Sequence, residues 1–226
     1  MRCPWCHNRE LITGEAQDLT GIEDGLAHIR KRRSVLGGVV LSGGEPCLCE
    51  ELPLIISEIK KIPLPVKLDT NGMFPAMLEK LFSRAETRPD YIALDLKIAP
   101  VRYVELALEE ESGNNLTQSA ALIRESGTAH EYRTLALPGG FIGAEDIEAL
   151  APLADNALWY FRPFAGGNCL DPAWDGLEEP AEEARARLEA LAEKARELGK
   201  RTCVPEVKQE ILPRTTLTPR TEGGQK

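Results

Sequence analysis

The residues that invite a chemical reading stand at the start of the chain. Cys3-Pro4-Trp5-Cys6 sets two thiols three positions apart, with His7 directly after. Such a C-x-x-C pair suits a zinc site, a redox dithiol or an iron–sulfur cluster, and alone it does not choose among them. Ser42-Gly43-Gly44-Glu45-Pro46 is the second informative stretch. Its paired glycines let backbone groups approach a ligand with no Cβ in between. Glu45 suits a cationic group such as an α-amino group, held by a charge-assisted hydrogen bond. The plainer alternative is a βα turn carrying a solvated glutamate. Smaller polar sets follow: Asp69-Thr70-Asn71-Gly72, then Asp95 and Lys97 separated by Leu96, then Arg133 and Arg162. On a strand, Asp95 and Lys97 face the same side.

The elements between these sets alternate in kind. Strands are predicted in VVLSGGEP, VKLDTNG, YIALDLK, EYRTLALPGG and LWYFRPF. A first helix is predicted from Thr20, with Thr20 and Glu23 as a capping box, to about Leu36, where Gly37-Gly38 stops it. Further helices are predicted over ELPLIISEIKKI, MFPAMLEKLFSRA, VRYVELALEEES, LTQSAALIRESG, AEDIEALAPLA and PAEEARARLEALAEKARELG. In the first of these, Leu52, Ile55, Ile56 and Ile59 share one face. Strands alternating with helices of this length imply βαβ units, a parallel sheet and an α/β fold. Each polar set then lies at the carboxyl end of a strand, the edge at which parallel α/β folds bind ligands.

Composition narrows the field further. Apolar residues make up 42% and charged residues 28%, the balance of a soluble globular protein. No apolar run approaches the roughly 20 residues of a membrane-spanning helix. Nothing at the start reads as a secretory signal, so a cytoplasmic location is expected. Six cysteines in that compartment favour metal binding or catalysis over disulfides. The net charge of −9, from 27 basic and 36 acidic residues, excludes a general affinity for nucleic acid or anionic membranes. Arg30-Lys31-Arg32-Arg33 falls where a helix ends, which suits the helix dipole.

CPWCHN taken with GGEP resembles the radical S-adenosylmethionine (SAM) superfamily, whose cluster loop runs CxxxCxxC with an aromatic residue before the last cysteine. CPWCHNRELI, SGGEPCL, LDTNG, ALDLK and FRPFAGGNCLDP extend the resemblance over nearly the whole chain. They are similar to the glycyl-radical-enzyme activating branch, and most of all to activating proteins of anaerobic ribonucleoside-triphosphate reductase. The resemblance implies a partial (β/α)6-type barrel, a 4Fe-4S cluster on three thiolates, and S-adenosyl-L-methionine on the open iron. It places Cys3 and Cys6 on the cluster as metal ligands, and Trp5 beside it near the adenine. Gly43, Gly44 and Glu45 would hold the methionine amino group, and Asp69, Thr70 and Asn71 would line the cofactor pocket. Arg133 and Arg162 would meet the carboxylate or the ribose. Asp95 and Lys97 would be catalytic, touching the cofactor or an incoming peptide; the alternative is an ion pair that orders the barrel.

The activity so implied is reductive cleavage of S-adenosylmethionine to a 5′-deoxyadenosyl radical, which sets a glycyl radical on a partner enzyme. Anaerobic ribonucleotide reductase would be that partner, with flavodoxin or ferredoxin as electron donor. A pyruvate formate-lyase-like partner, a small molecule or a nucleic-acid base are alternative substrates. A non-catalytic zinc or redox CxxC protein would explain the opening but not the strand-end motifs.

The family's first cluster cysteine stands four positions ahead of Cys3, before Met1, and its first strand earlier still. Five strands are predicted here against the family's six. The sequence is therefore expected to lack the first strand and the first ligand, and as it stands not to assemble the usual three-thiolate site. One barrel domain is expected over residues 1–212, with 213–226 as a flexible tail. Cys47 and Cys49 read as partly buried thiols, with an extra ligand or redox pair as the alternative. Asn168, Cys169 and Asp171 are expected to shape the loop after the last predicted strand. Cys203 is expected to be buried, and His28 and His130 structural or exposed; His7 either bonds near Cys6 or sits on the surface.

Overall fold

The computed structural model describes residues 1–17, 20–107, 110–177 and 179–205. The expected boundary at 212 and the tail 213–226 lie outside the described residues. Six strands form one parallel sheet in chain order: β1 (Val39–Leu41), β2 (Val66–Thr70), β3 (Tyr91–Asp95), β4 (Ala129–Ala136), β5 (Leu158–Pro163) and β6 (Thr202–Cys203). Neighbours pair in sequence order and β1 does not meet β6, so the sheet stays open. Eight helices are described: α1 (Arg9–Thr13), α2 (Ile22–Arg32), α3 (Leu52–Lys60), α4 (Pro75–Phe82), α5 (Val104–Ala107), α6 (Ser112–Ser126), α7 (Ala144–Leu150) and α8 (Ala181–Glu197).

Period-2 alternation divides each central strand between two environments. Val66, Leu68 and Thr70 of β2, Ile92 and Leu94 of β3, Tyr132 and Thr134 of β4, and Trp159 and Phe161 of β5 are buried. The main core also takes in Leu78 and Leu81 of α4, Leu116 and Ile123 of α6, and Leu188 and Leu191 of α8. The alternate residues Lys67, Asp69, Tyr91, Asp95, Glu131 and Arg133 occupy the other face. There they pair with one another: Lys67 Nζ lies 2.9 Å from Glu131 Oε1, and Tyr91 Oη donates to Glu131 Oε2 at 3.0 Å. The register sets Ala93 between Asp69 and Glu131, where its small side chain leaves room for those longer ones.

Several sequence expectations change in detail. The sheet has a sixth strand, β6, whose two residues are too few to show periodicity. Trp159 N donates to Arg201 O at 2.8 Å and places β6 beside β5. Cys203, at the sheet's edge, is half-buried rather than buried. Thr20 does not cap α2; Gly21 is the N-cap, with no side-chain cap bond, and α2 ends at Arg32 rather than near Leu36. Within the helix expected over 101–112, a 3-10 turn, Pro100–Arg102, precedes α5, and positions 108 and 109 lie outside the described residues. Buried Asp146 of α7 holds that turn by accepting from Ala99 N at 2.8 Å and pairing with Arg102.

Close packing at the start of α6 depends on Gly113, where a Cβ would meet the Pro100 carbonyl oxygen at 2.2 Å. Gly25 in α2 has nothing within 4 Å of the same position. Gly113→Ala is expected to destabilise the fold by about 1–3 kcal/mol through overpacking. Gly25→Ala is expected to stabilise it by up to about 1 kcal/mol through helix propensity and unfolded-state entropy. Urea unfolding of the two variants beside the parent checks both signs.

Candidate active site

Cys3 to Cys6 is a tight turn closed by Cys6 N donating to Cys3 O at 3.0 Å, with Pro4 pre-set for its second position. Both thiols line the cavities at the carboxyl edge of the sheet. Cys3 is buried and Cys6 half-buried. Burial pushes the Cys3 thiol up, and the neighbouring Lys97 ammonium pulls it back. Trp5, only 4% exposed, packs at 5.1 Å from Phe141 and 5.3 Å from Trp174. Phe164 closes on Trp174 at 5.7 Å, so the thiol turn rests on an aromatic cluster drawn from the loops after β4 and β5. Asp171 N donates to Pro4 O at 2.9 Å, which ties the loop after β5 to this turn.

The glycine turn after β1 is fastened in two directions. Asn8 Nδ2 donates to Gly43 O, and Gly43 holds a φ of 128° that suits glycine. Glu45 accepts from Thr70 Oγ1 at 2.7 Å, Asn71 N at 2.8 Å and Cys47 N at 3.1 Å. Burial raises the Glu45 carboxyl, while these bonds draw it back. Glu45 therefore joins the glycine turn to the end of β2. Asn71 Oδ1 accepts from Met73 N at 2.9 Å, and Gly72 is left-handed at φ 77° with Leu94 pressed against it.

Four charges of alternating sign cross the strand ends. Arg133 Nη1 lies 2.8 Å from Asp69 Oδ2, Arg133 Nη2 lies 2.9 Å from Asp95 Oδ1, and Lys97 Nζ lies 2.9 Å from Asp95 Oδ2. Burial would raise the Asp95 carboxyl, but Lys97 and Arg133 hold it below the ordinary range. Burial likewise opposes the charged form of Lys97, yet Asp95 raises it, so the pair is ionised. Asp69 Oδ1 differs from its neighbours: it is buried and accepts no hydrogen bond, with the Lys67 ammonium 3.7 Å away. Asp69 lines two adjoining cavities of about 390 and 420 Å³, whose walls share Cys3, Cys6, Asp95, Lys97 and Arg133. Such volumes suit a small-molecule site, typically about 300–1,000 Å³.

The structure thus gathers the expected residues at one mouth. Cys3, Trp5, Cys6, Asp69, Asp95, Lys97, Arg133 and Arg162 line the first cavity; Gly43, Gly44, Glu45, Thr70 and Asn71 line the second. Cys47 and Cys49 line neither. Cys47 is buried, 3.6 Å from Thr70 Oγ1, and Cys49 Sγ lies 3.4 Å from Glu51. His130 is bonded to Thr128 O and Asp155, away from the mouth. Asn8, Phe141, Phe164 and Trp174 are participants that the sequence reading did not place. Asn8 follows the thiol turn directly, a local signal; the three aromatics come from distant loops and carry none.

The cofactors implied by the motifs can be tested against this geometry. Two thiols turned to one cavity fit two iron ligands of a cluster; among the described residues no group of three or more His, Cys, Asp or Glu side chains stands ready to hold a metal ion. Asp69 Oδ1 accepts no hydrogen bond and has the Lys67 ammonium 3.7 Å away, which leaves acceptor capacity for a ligand that brings its own donor, such as an ammonium or a ribose hydroxyl, and the cavity that Asp69 lines has room for one.

Known proteins agree with this reading. MJ1227 of Methanocaldococcus jannaschii, provisionally named a glycyl-radical enzyme activating enzyme, is 29% identical over 200 residues, covering 86% of this chain and 81% of its own. The fold matches SuiB of Streptococcus suis, crystallised with S-adenosylmethionine, at a TM-score of 0.63 and 12% identity, over 91% of this chain and 44% of that one. It matches a radical SAM methyltransferase from Sphaerobacter thermophilus at a TM-score of 0.59 and 17% identity, over 81% of this chain and 56% of that one. The chain spans about half the length of these two solved proteins. The Radical SAM superfamily model matches residues 1–151. That span runs from the thiol turn past Arg133, through most of the cavity wall just described, and the chain belongs to the radical SAM superfamily.

Proposed function

We propose that this radical SAM enzyme activates a glycyl-radical enzyme, and that anaerobic ribonucleotide reductase is the partner. Its cofactors are a 4Fe-4S cluster and S-adenosyl-L-methionine. The observation that carries the reading is the convergence of the thiol turn, the glycine turn and the Asp69–Arg133–Asp95–Lys97 chain on one mouth. The name given to MJ1227, similar over most of both chains, supports the activating branch. A zinc or dithiol protein would need the thiol turn but none of the other sets.

When bound, these cofactors supply one-electron cleavage of S-adenosylmethionine to methionine and a 5′-deoxyadenosyl radical, which takes a hydrogen atom from a glycine of the partner. The chain's own residues bind, orient and exclude water. Cys3 and Cys6 would hold two irons of the cluster, and Trp5, buried among Phe141 and Trp174, keeps their turn in place. Glu45 acts through the turn it anchors: with its oxygens bonded to Thr70, Asn71 and Cys47, it presents the Gly43–Gly44 backbone to the methionine ammonium. Asp69 Oδ1 offers a buried acceptor to the same ligand. Asp95 and Lys97 stay ionised beside the cavity, and Arg162, exposed at the end of β5, is placed for the outer end of the ligand or the incoming peptide. Flavodoxin or ferredoxin supplies the electron. The cytoplasm, where six free thiols stay reduced, is the compartment proposed; no described helix is long and apolar enough to cross a membrane.

Anaerobic loading with iron and sulfide of the chain extended to carry a third cysteine four positions ahead of Cys3, followed by S-adenosylmethionine and a strong reductant, tests the reading. Methionine and 5′-deoxyadenosine are expected in equal amounts, with a glycyl-radical doublet by electron paramagnetic resonance when the reductase is added. Cleavage without a protein radical on any glycyl-radical partner would overturn the activase assignment. Asp69→Asn is expected to raise the Kd for S-adenosylmethionine roughly tenfold or more, since hydrogen bonds to charged groups contribute about 1.5–3 kcal/mol; equilibrium dialysis reads it.

Asp95→Asn leaves Lys97 and Arg133 with one counter-charge fewer and should be less stable at pH 7. Because the folded-state carboxyl is depressed, its contribution is complete above its unfolded value of about 3.9 and is lost as pH falls through the folded one. The stability gap between parent and variant should therefore narrow in strong acid. Denaturant titrations at pH 7 and pH 3 compare the two; an unchanged gap would rule out the ionised pair as its source.

A further inference from the structure

Among the contacts that hold the thiol turn, two lead to Arg102. On one side of Cys3, Arg2 N donates to Leu106 O of α5 at 2.9 Å. On the other, Trp5 meets Phe141 edge-on, with ring centres 5.1 Å apart. Leu106 belongs to the segment after β3 and Phe141 to the loop after β4. Arg102 joins those two segments. Its Nη1 donates to Phe141 O at 3.1 Å, and its guanidinium lies 5.3 Å from the centre of the Phe141 ring. Its Nε and Nη2 donate to Glu105 of α5 at 3.0 and 3.1 Å. Asp146 then fixes the guanidinium itself, with Nη1 2.9 Å from Oδ2. That carboxylate is only 5% exposed and also accepts from Ala99 N and Gly143 N, one on each segment. A further contact, Asp171 N to Pro4 O at 2.9 Å, comes from the loop after β5 and does not involve Arg102.

We propose that Arg102 is a positioning residue for the thiol turn, acting through Phe141 and α5 rather than by touching iron or substrate. Its part in the reaction rests on Cys3 and Cys6 being cluster ligands. The reason is geometric. Residues 2 and 5 flank Cys3, so their two supports must keep a fixed separation for Cys3 to stay turned into the cavity. Those supports are carried by separate loops, and loops are the parts of a fold that shift most readily. One arginine can hold both because its N–H donors leave the planar guanidinium in different directions. Asp146, shielded from water, keeps the fork from swinging out, and such a charge-assisted bond is stronger than an exposed ion pair. The Glu105 arm is open to solvent and adds less. Without the fork at position 102, Phe141 is no longer tied to α5, and Trp5 moves with it.

Thiol alkylation of the full, metal-free chain reads the turn directly. Cys3 and Cys47 are both buried, at 7% and 3% exposure, and only Cys3 lies in the thiol turn. A short pulse of iodoacetamide, with each cysteine followed by peptide fragmentation in the mass spectrometer, gives the two rates side by side. Arg102→Met is expected to raise the Cys3 rate roughly tenfold, the scale of one lost charge-assisted hydrogen bond, and to leave the Cys47 rate unchanged. Phe141→Leu should act in the same direction. The double variant should go little beyond the stronger single one, because both changes break one chain of contacts. Arg102→Lys, which keeps the charge beside Asp146 but not the fork, should fall between the parent and Arg102→Met. Equal rises at Cys3 and Cys47 would mean a general loosening and overturn the proposal. So would a Cys3 rate that stays at the parental value in both single variants, or effects that multiply in the double variant. Phe141→Leu carries the test by itself should Arg102→Met fail to fold. Neither iron, S-adenosylmethionine nor a partner enzyme enters the experiment, so its outcome is independent of the activase reading.

Discussion

Arg133 reaches from β4 to carboxylates on two neighbouring strands, Asp69 of β2 and Asp95 of β3. Its guanidinium is largely removed from water, and so are both partners. Each therefore depends on the others: taking one away leaves a desolvated charge, a far larger cost than the loss of a surface ion pair. The fork geometry of arginine is what allows one side chain to meet both acids. Lys97 extends the chain to four members and stands beside Cys3, linking the sheet's polar face to the thiol turn. Strand spacing, side-chain charge and the position of the thiol turn are thus tied to one continuous electrostatic arrangement.

Around that chain, the cavity wall is assembled by contacts between segments far apart in sequence. The thiol turn rests on aromatic rings from the loops after β4 and β5, and the glycine turn after β1 is bonded to the end of β2 through Glu45. The two turns meet where Asn8 bonds Gly43. None of these contacts lies within a single βα unit. A parallel sheet makes them feasible because it delivers every strand's carboxyl end to the same edge. Asp69 Oδ1 has the Lys67 ammonium 3.7 Å away but accepts no hydrogen bond, and a buried carboxylate oxygen with that capacity unused is suited to a ligand that carries a donor.

Much of this was legible beforehand where the signal was local or periodic. The alternation of apolar runs and amphipathic stretches located β1 to β5 and α3, α4, α6, α7 and α8, and the polar sets were correctly placed at strand ends. Short-range cues fared less well. The Thr20–Glu23 capping pattern did not become a cap, and the stretch after Val101 was interrupted by the packing of Asp146 against Arg102. β6 escaped notice because two residues have no period. Glu45 was read for its charge as a ligand contact, and no local signal showed that its oxygens also accept from backbone and hydroxyl donors two and about twenty-five residues away.

The sequence by itself determined the parallel α/β class, the edge at which chemistry would gather, and the identity of its main groups. Those follow from side-chain period and residue type, which are properties of the chain taken a few residues at a time. Tertiary structure alone decided which carboxylates share Arg133, which oxygen of Asp69 accepts no hydrogen bond, and which rings bury Trp5. Each of these is a contact between segments separated by tens of residues or more, and their relative placement is set only when the helices and loops pack around the whole sheet.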